Sequence, residues 1–92
     1  MPAHEHINQE QLRALKALDF PMDDNDNYYT IGQLEPELSF DMNQYNTLKE
    51  DIAKHGIKTP IEVMGDRVSD GHHRAVIAKE LGIPRIPIWD VT

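Results

Sequence analysis

The sequence of 92 residues contains no cysteine. This absence excludes disulfide bonds, zinc sites built on thiolates and catalysis by a cysteine nucleophile. The chain also has no apolar run approaching the roughly 18 residues of a membrane-spanning helix, and no signal-peptide-like segment follows its start. These absences fit a protein of the reducing cytoplasm, so we expect a cytoplasmic localisation and no membrane partner.

Basic side chains are scarce in the first half of the chain. Residues 1–50 carry ten acidic and three basic side chains, whereas residues 51–92 carry six of each, so the net charge of −7 belongs to the first half. A protein that binds duplex DNA usually presents a basic face. We therefore expect no strong duplex-DNA binding by this chain. An anionic small molecule is better accommodated by the neutral second half.

Apolar spacing and turn residues predict an α+β fold, in which helices flank a small mixed β-sheet in a single domain. The elements follow one another as helix, strand, helix, hairpin, helix and strand. They cover residues 8–20, 28–34, 41–56, 61–68, 72–81 and 86–91, respectively. Pro87 predicts that the last strand lies at a sheet edge, because proline lacks the N–H that an interior strand donates.

The first predicted helix begins with clear signals. Asn8 and Gln11 have the spacing of a capping box, in which each side chain bonds the backbone of the other residue. Leu12, Leu15 and Leu18 continue as an apolar stripe at helical spacing, and the stripe ends at a Phe-Pro pair. This pattern predicts one helix up to residue 20.

An acidic loop follows this helix. Its Asp24-x-Asp26 resembles the opening of a calcium-binding loop but lacks the glycine and the closing glutamate, so a solvated loop is the favoured interpretation. His4 and His6 are assigned to a flexible terminal segment. We divide the chain into an N-terminal extension of helix and acidic loop, residues 1–27, and a main domain, residues 28–92.

The run Asp70-Gly71-His72-His73-Arg74 stands between a predicted strand and a predicted helix. A helix N-terminus leaves backbone N–H groups unpaired and carries a partial positive charge, and glycine lets a phosphate approach the backbone. Arg74 and the two histidines add donors, and Asp70 is placed to hold a magnesium ion beside a phosphate. The combination predicts a phosphate-binding turn.

A purely structural interpretation of the same run stays open from spacing alone. Gly71 then simply permits the turn, Asp70 caps the helix, and Arg74 pairs with Asp70 or Glu80. A metal site on the two adjacent histidines, His72 and His73, is disfavoured because neighbouring helical residues point about 100° apart.

Several short motifs occur in an order and spacing that resemble the ParB-like N-terminal domain, and this match covers roughly residues 29–91. The motifs are Ile31-x-x-Leu34-x-Pro36, His55-Gly56-Ile57, Pro60-Ile61-x-Val63, Asp70-Gly71-His72-His73-Arg74-Ala75 and Glu80-Leu81-Gly82-Ile83. The resemblance implies the ParB/sulfiredoxin fold and a nucleotide site at the glycine-x-x-arginine turn. Residues 1–28 have no counterpart that the motifs identify.

Members of this superfamily hydrolyse cytidine triphosphate, use ATP to repair peroxiredoxins, or phosphorylate free serine. The resemblance implies that the residues binding nucleotide phosphate are Gly71, His72, His73, Arg74 and Thr59. It also implies a catalytic Asp70, which would bind Mg²⁺. Sulfiredoxin activity is excluded because a histidine, His72, occupies the position of the essential cysteine.

The leading hypothesis is a module that binds a CTP- or ATP-type nucleotide with Mg²⁺ and acts as a switch or weak phosphohydrolase. We expect it to lack the DNA-reading helix-turn-helix. One alternative is a phosphotransferase or nuclease of the same superfamily, for which Glu37 is the candidate catalytic base and Glu35 its neighbour. Another is a non-catalytic domain, for example phage-encoded or from a mobile element, that binds a protein partner or self-associates.

Overall fold

Six strands form one mixed β-sheet in the computed structural model, which describes residues 3–91. The strands are β1 (Ala3–Ile7), β2 (Lys16–Pro21), β3 (Tyr28–Thr30), β4 (Ile61–Met64), β5 (Arg67–Asp70) and β6 (Ile86–Asp90). The helices are α1 (Gln9–Ala14), α2 (Pro36–Ser39), α3 (Met42–His55) and α4 (His72–Leu81), with a 3-10 turn at Ile31–Gln33. The α+β fold with a mixed sheet is therefore confirmed.

The strand order across the sheet is β1-β6-β4-β5-β2-β3. Strands β4 and β5 form an antiparallel hairpin, whereas β2 runs parallel to β5 and β6 runs parallel to β4. The two outer strands, β1 and β3, pair antiparallel with β6 and β2. The predicted hairpin and the predicted helices that became α3 and α4 are confirmed.

One apolar core lies between the sheet and the helices. Strand side chains Ile61, Val63 and Ile88 meet the continuous buried run 75–78 of α4. Alternate residues of the same strands, such as Met64 and Trp89, are exposed. Trp89 stacks on the ring of His4 in the edge strand β1, with ring centroids 5.5 Å apart.

The prediction of one helix over residues 8–20 is wrong beyond Ala14. The capping box of Asn8 and Gln11 is present, but Leu15 takes an extended conformation and β2 begins at Lys16. Leu12 is fully buried as expected, and Ala17 is equally buried within β2. Pairing of β2 with β5 and β3 has overridden the helical spacing of the leucines.

Three other expectations need correction. The strand predicted over 28–34 ends at Thr30 and continues as the 3-10 turn. The last strand, β6, is not at the edge but lies between β1 and β4. The segment of His4 and His6 belongs to β1, in register with Trp89 and Pro87 of β6. The range 1–27 thus contributes two of the six strands.

Within residues 3–91, no helix is both long and apolar enough to cross a lipid bilayer.

Candidate functional site

A cavity of about 340 Å³ opens at the N-terminus of α4. The predicted phosphate turn supplies one wall, and β2, α2 and α3 with their flanking residues supply the other. The lining residues are Asp70, Gly71, His72, His73 and Arg74 from the turn, and Asp19, Phe20, Ser39, Phe40, Gln44 and Leu48 from the opposite wall. The structure therefore brings five predicted site residues together around one space.

Gly71 is the N-cap of α4 and adopts a left-handed conformation, with φ 93° and ψ 31°. No side chain bonds the backbone N–H groups at this helix start, in contrast to α1 and α3, which are capped by Asn8 and Asp41. Asp70 therefore does not cap α4. The N–H groups of the first turn, with their partial positive charge, lie at the cavity wall without a side-chain acceptor.

The guanidinium group of Arg74 folds back over Gly71. A Cβ atom placed on Gly71 would lie only 2.8 Å from Nη2 of Arg74. Nη2 itself lies 3.5 Å from the Pro60 carbonyl oxygen and 3.9 Å from Oδ2 of Asp70, both long separations for a hydrogen bond. The Nε–H of Arg74 is buried and has no hydrogen-bond acceptor among residues 3–91.

These contacts bear on the two interpretations of Arg74, since its pairing with Asp70 is present but long. The Asp70 side chain is 77% exposed, and an exposed ion pair at this distance contributes little to stability. A buried N–H donor without an acceptor costs about 1–3 kcal/mol. An anion bound at the turn would supply acceptors that the protein does not provide.

His72 is the one buried polar residue of the described core, at 5% exposure. Its Nε2 accepts the backbone N–H of Asp19 at 3.3 Å, and its Nδ1 lies 3.3 Å from Oδ2 of the same residue. Burial lowers the pKa of His72, against the opposing effects of Asp19 and Asp70. A neutral His72 ties α4 to β2 and brings no positive charge to the cavity.

An aromatic cluster lies beside the turn, and three of its members, Phe20, Phe40 and His73, line the cavity. The rings of His73 and Phe40 are 4.2 Å apart, Phe40 stacks on Tyr45 at 5.6 Å, and Phe20 meets Phe40 edge-on. Burial, with the nearby charges of Glu80 and Glu37, raises the pKa of Tyr45 to about 12. The cluster gives the cavity an apolar surface next to its polar turn, as is common in ligand sites.

Two predicted site residues do not line this cavity. Thr59 is exposed in the loop before β4, and only its neighbour Pro60 contacts Arg74. Glu37 is exposed on α2, whereas Glu35 lines a second, adjoining cavity. Sequence reasoning missed Asp19 of β2, which brings a second carboxylate to the cavity beside Asp70.

The remaining missed residues come from segments distant in sequence. Phe20 precedes a proline, Phe40 precedes Asp41, and Gln44 lies in the first turn of α3, where its N–H donates to the side chain of Asp41. No local signal marks them as neighbours of the turn.

Within residues 3–91, no group of three or more histidine, aspartate or glutamate side chains is arranged to hold a metal ion.

Comparison with known proteins supports the fold. No family model matches the chain, and no curated protein matches it. Among solved structures, a Pnob8-like ParB-N domain superposes on the whole chain with a TM-score of 0.60 at 20% sequence identity. The chain spans 31% of the length of that protein chain. The fold is therefore ParB-N-like, and the first 28 residues are included in the match.

Proposed function

We propose that this ParB-N-like domain binds a nucleotide through its phosphates at the Gly71–Arg74 turn. The observation that carries the proposal is the state of Arg74, whose guanidinium lies over Gly71 with a buried, unpartnered Nε–H. The uncapped start of α4 supports it, because backbone N–H groups at a helix N-terminus favour a phosphate. The cavity offers about 340 Å³ beside these donors.

The cavity also suits a magnesium ion that accompanies the phosphates. Mg²⁺ is usually held by one or two carboxylates, several waters and phosphate oxygens. Asp70 and Asp19 are the two carboxylates of the cavity wall, and both side chains are largely exposed. When bound, the ion would neutralise phosphate charge that Arg74 alone cannot balance.

Binding, rather than catalysis, is the function that the geometry supports best. A phosphotransferase needs a base within reach of the acceptor hydroxyl. The predicted base, Glu37, is absent from the cavity lining. Asp19 is in contact with His72 and is also one of the two carboxylates that would hold Mg²⁺, so it is a poor candidate for that base.

A thermal-shift screen of nucleoside mono-, di- and triphosphates, with and without Mg²⁺, tests the proposal. A nucleotide present at 100 times its dissociation constant should stabilise the fold by about 2.7 kcal/mol, an easily measured rise in melting temperature for so small a domain. The absence of a shift with every nucleotide would contradict the proposal.

Variants of Arg74 locate the site. We expect Arg74→Ala to lose about 2–4 kcal/mol of binding free energy, since it removes a charged partner of the phosphate. Arg74→Lys should recover only part, because an ammonium group cannot make the bidentate contact. Arg85→Ala is the matched control, since it removes the same charge from an exposed residue outside the cavity. If Arg74→Ala and the parent bound nucleotide with equal affinity, the phosphate would not bind at this turn.

A further inference from the structure

A second cavity, of about 240 Å³, lies between the β2–β3 hairpin and α2. Its apolar surface comes from Phe20 and Leu34 at the base and from Tyr29 and Leu38 at the rim. Leu34 is buried, whereas Tyr29 is 41% exposed and Leu38 is 87% exposed. We call this surface the α2 groove. The apolar side chains at the rim of the groove are exposed to water, whereas those of the adjoining core are buried.

Carboxylates predominate in the segment that lines the α2 groove, although Nζ of Lys79 also reaches the groove through the carbonyl oxygen of Leu34. The segment 17–48 supplies every residue of the groove lining and contains seven carboxylates but no lysine, arginine or histidine. Glu35 lines the groove itself, and Glu37 adjoins Leu38 on α2. This short segment therefore carries a formal charge equal to the net charge of the whole chain, −7.

Two cations that approach this segment from elsewhere in the fold, Lys79 and Arg67, make contacts of their own. Nζ of Lys79 donates to the backbone carbonyl oxygens of Leu34 at 2.7 Å and Gly32 at 3.4 Å. Arg67 pairs with Asp66 at 3.1 Å and lies 5.6 Å from the ring centre of Tyr28. Lys79 therefore places one positive charge at the groove, against the two carboxylates of Glu35 and Glu37. After Asp66, Asp26 is among the charges that raise the pKa of Arg67.

We propose that the α2 groove docks a segment of a partner protein that carries an apolar anchor side chain flanked by lysine or arginine. Apolar rim residues above a hydrophobic base fit one inserted side chain, and the carboxylates of Glu35 and Glu37 fit its basic neighbours. Nucleic acid is excluded as the occupant by its like charge. Two copies of this chain joined groove to groove would bring Glu35 and Glu37 of both copies together.

The test uses fluorescein-labelled synthetic peptides and the full chain in an anisotropy titration. One peptide consists of lysine and leucine in an amphipathic pattern; in two others, glutamate replaces lysine or serine replaces leucine. We expect only the lysine–leucine peptide to bind, with an affinity that falls as salt is raised. Leu38→Ser should weaken its binding about tenfold, because the anchor loses an apolar contact.

Met64→Ser is the matched control, because Met64 is an exposed apolar residue on β4, outside the groove. It should leave peptide affinity unchanged, and Leu38→Ser should keep the parent melting temperature because Leu38 is not a core residue. Equal binding of the lysine–serine peptide would reduce the effect to unspecific charge attraction and overturn the proposal. So would equal loss in Met64→Ser, no binding at all, or a dimer of the chain that Leu38→Ser dissociates in sedimentation.

Discussion

At the scale of single residues, Gly71 links the shape of the turn to the position of Arg74. Its φ of 93° is one that residues with a side chain disfavour. An added Cβ would also lie only 2.8 Å from Nη2 of Arg74, so the guanidinium would have to move. We expect Gly71→Ala to cost roughly 1–2 kcal/mol of stability for the backbone conformation. Nucleotide affinity, measured by thermal shift or calorimetry, should fall as well because Arg74 must move.

Gly82 provides the control for this substitution. It ends α4 with φ 65°, and a Cβ there would meet no atom within 4 Å. Gly82→Ala should therefore lose a similar amount of stability and keep the parent affinity for nucleotide. If both alanine variants lowered affinity equally, general loosening of α4 would explain the result and the link between Gly71 and Arg74 would be refuted.

His72 predicts a pH dependence of stability. Because burial lowers its pKa below the ordinary 6.5, the unfolded chain binds a proton at pH values where the folded His72 is still neutral. The free energy of unfolding should therefore decrease as the pH falls below about 6.5, down to the folded-state pKa. Asp19 and Asp70 oppose this lowering and His73 reinforces it, so the effect is smaller than burial alone would give.

Urea unfolding at about pH 7.5 and about pH 5.5 measures this dependence. His72→Gln is the comparison, because glutamine can still accept the Asp19 N–H but does not titrate. The parent should lose more stability than the variant between the two pH values. Parallel losses would show that other groups, common to both proteins, cause the decline.

The turn could be predicted from sequence because its parts are adjacent. Asp70 to Arg74 occupy one strand-to-helix junction, and the structure places all of them at one cavity. The opposite wall of the cavity could not be predicted from sequence. Asp19 and Phe40 are distant from the turn in the chain, and only tertiary packing brings them to the same cavity. The burial of His72 also depends on β2, which the sequence pattern had assigned to a helix.

At the scale of elements, two short strands show where the sequence pattern misleads. Leu12, Leu15 and Leu18 keep helical spacing across the end of α1, so periodicity alone cannot separate helix from strand there. Pro87 indicated an edge strand, yet the pairing of β6 with β4 involves residues 88–90 and leaves Pro87 outside it. A proline at that position is therefore compatible with an interior strand.

Leu12→Ala tests whether residues 1–27 fold together with the rest. Leu12 is fully buried in the shared core, so we expect its truncation to lower the free energy of unfolding by about 2–5 kcal/mol. The measurement is urea unfolding followed by far-ultraviolet circular dichroism, a signal dominated by α3 and α4 of the second segment. A single transition should shift as a whole.

Leu38→Ala is the control for this prediction, because the same truncation at an 87% exposed residue should change stability by less than about 0.5 kcal/mol. An unchanged midpoint in Leu12→Ala would mark residues 1–27 as an appended extension. A shared shift would instead make α1 and β2 parts of the domain, as their places in the core and sheet indicate.

At the scale of the whole molecule, positive charge is scarce, and part of it is paired. Lys16 and Arg67 share Asp66, at 3.2 Å and 3.1 Å. Lys54 pairs with Glu50 one helical turn away in α3. A chain of net charge −7 that also neutralises several of its cations locally is a poor surface for a polyanion to follow. A nucleotide differs, since one phosphate group needs only the donors of a single turn.

We therefore expect this chain to bind duplex DNA weakly and without sequence preference. Affinity for B-DNA rises with the number of phosphates that cationic side chains neutralise, and few such contacts are available. Fluorescence anisotropy with a labelled duplex, at low and at moderate salt, measures the affinity and its salt dependence. Any binding at low salt should disappear at moderate salt. Tight binding to one sequence over another, retained at moderate salt, would contradict the prediction and require a base-reading surface on this fold.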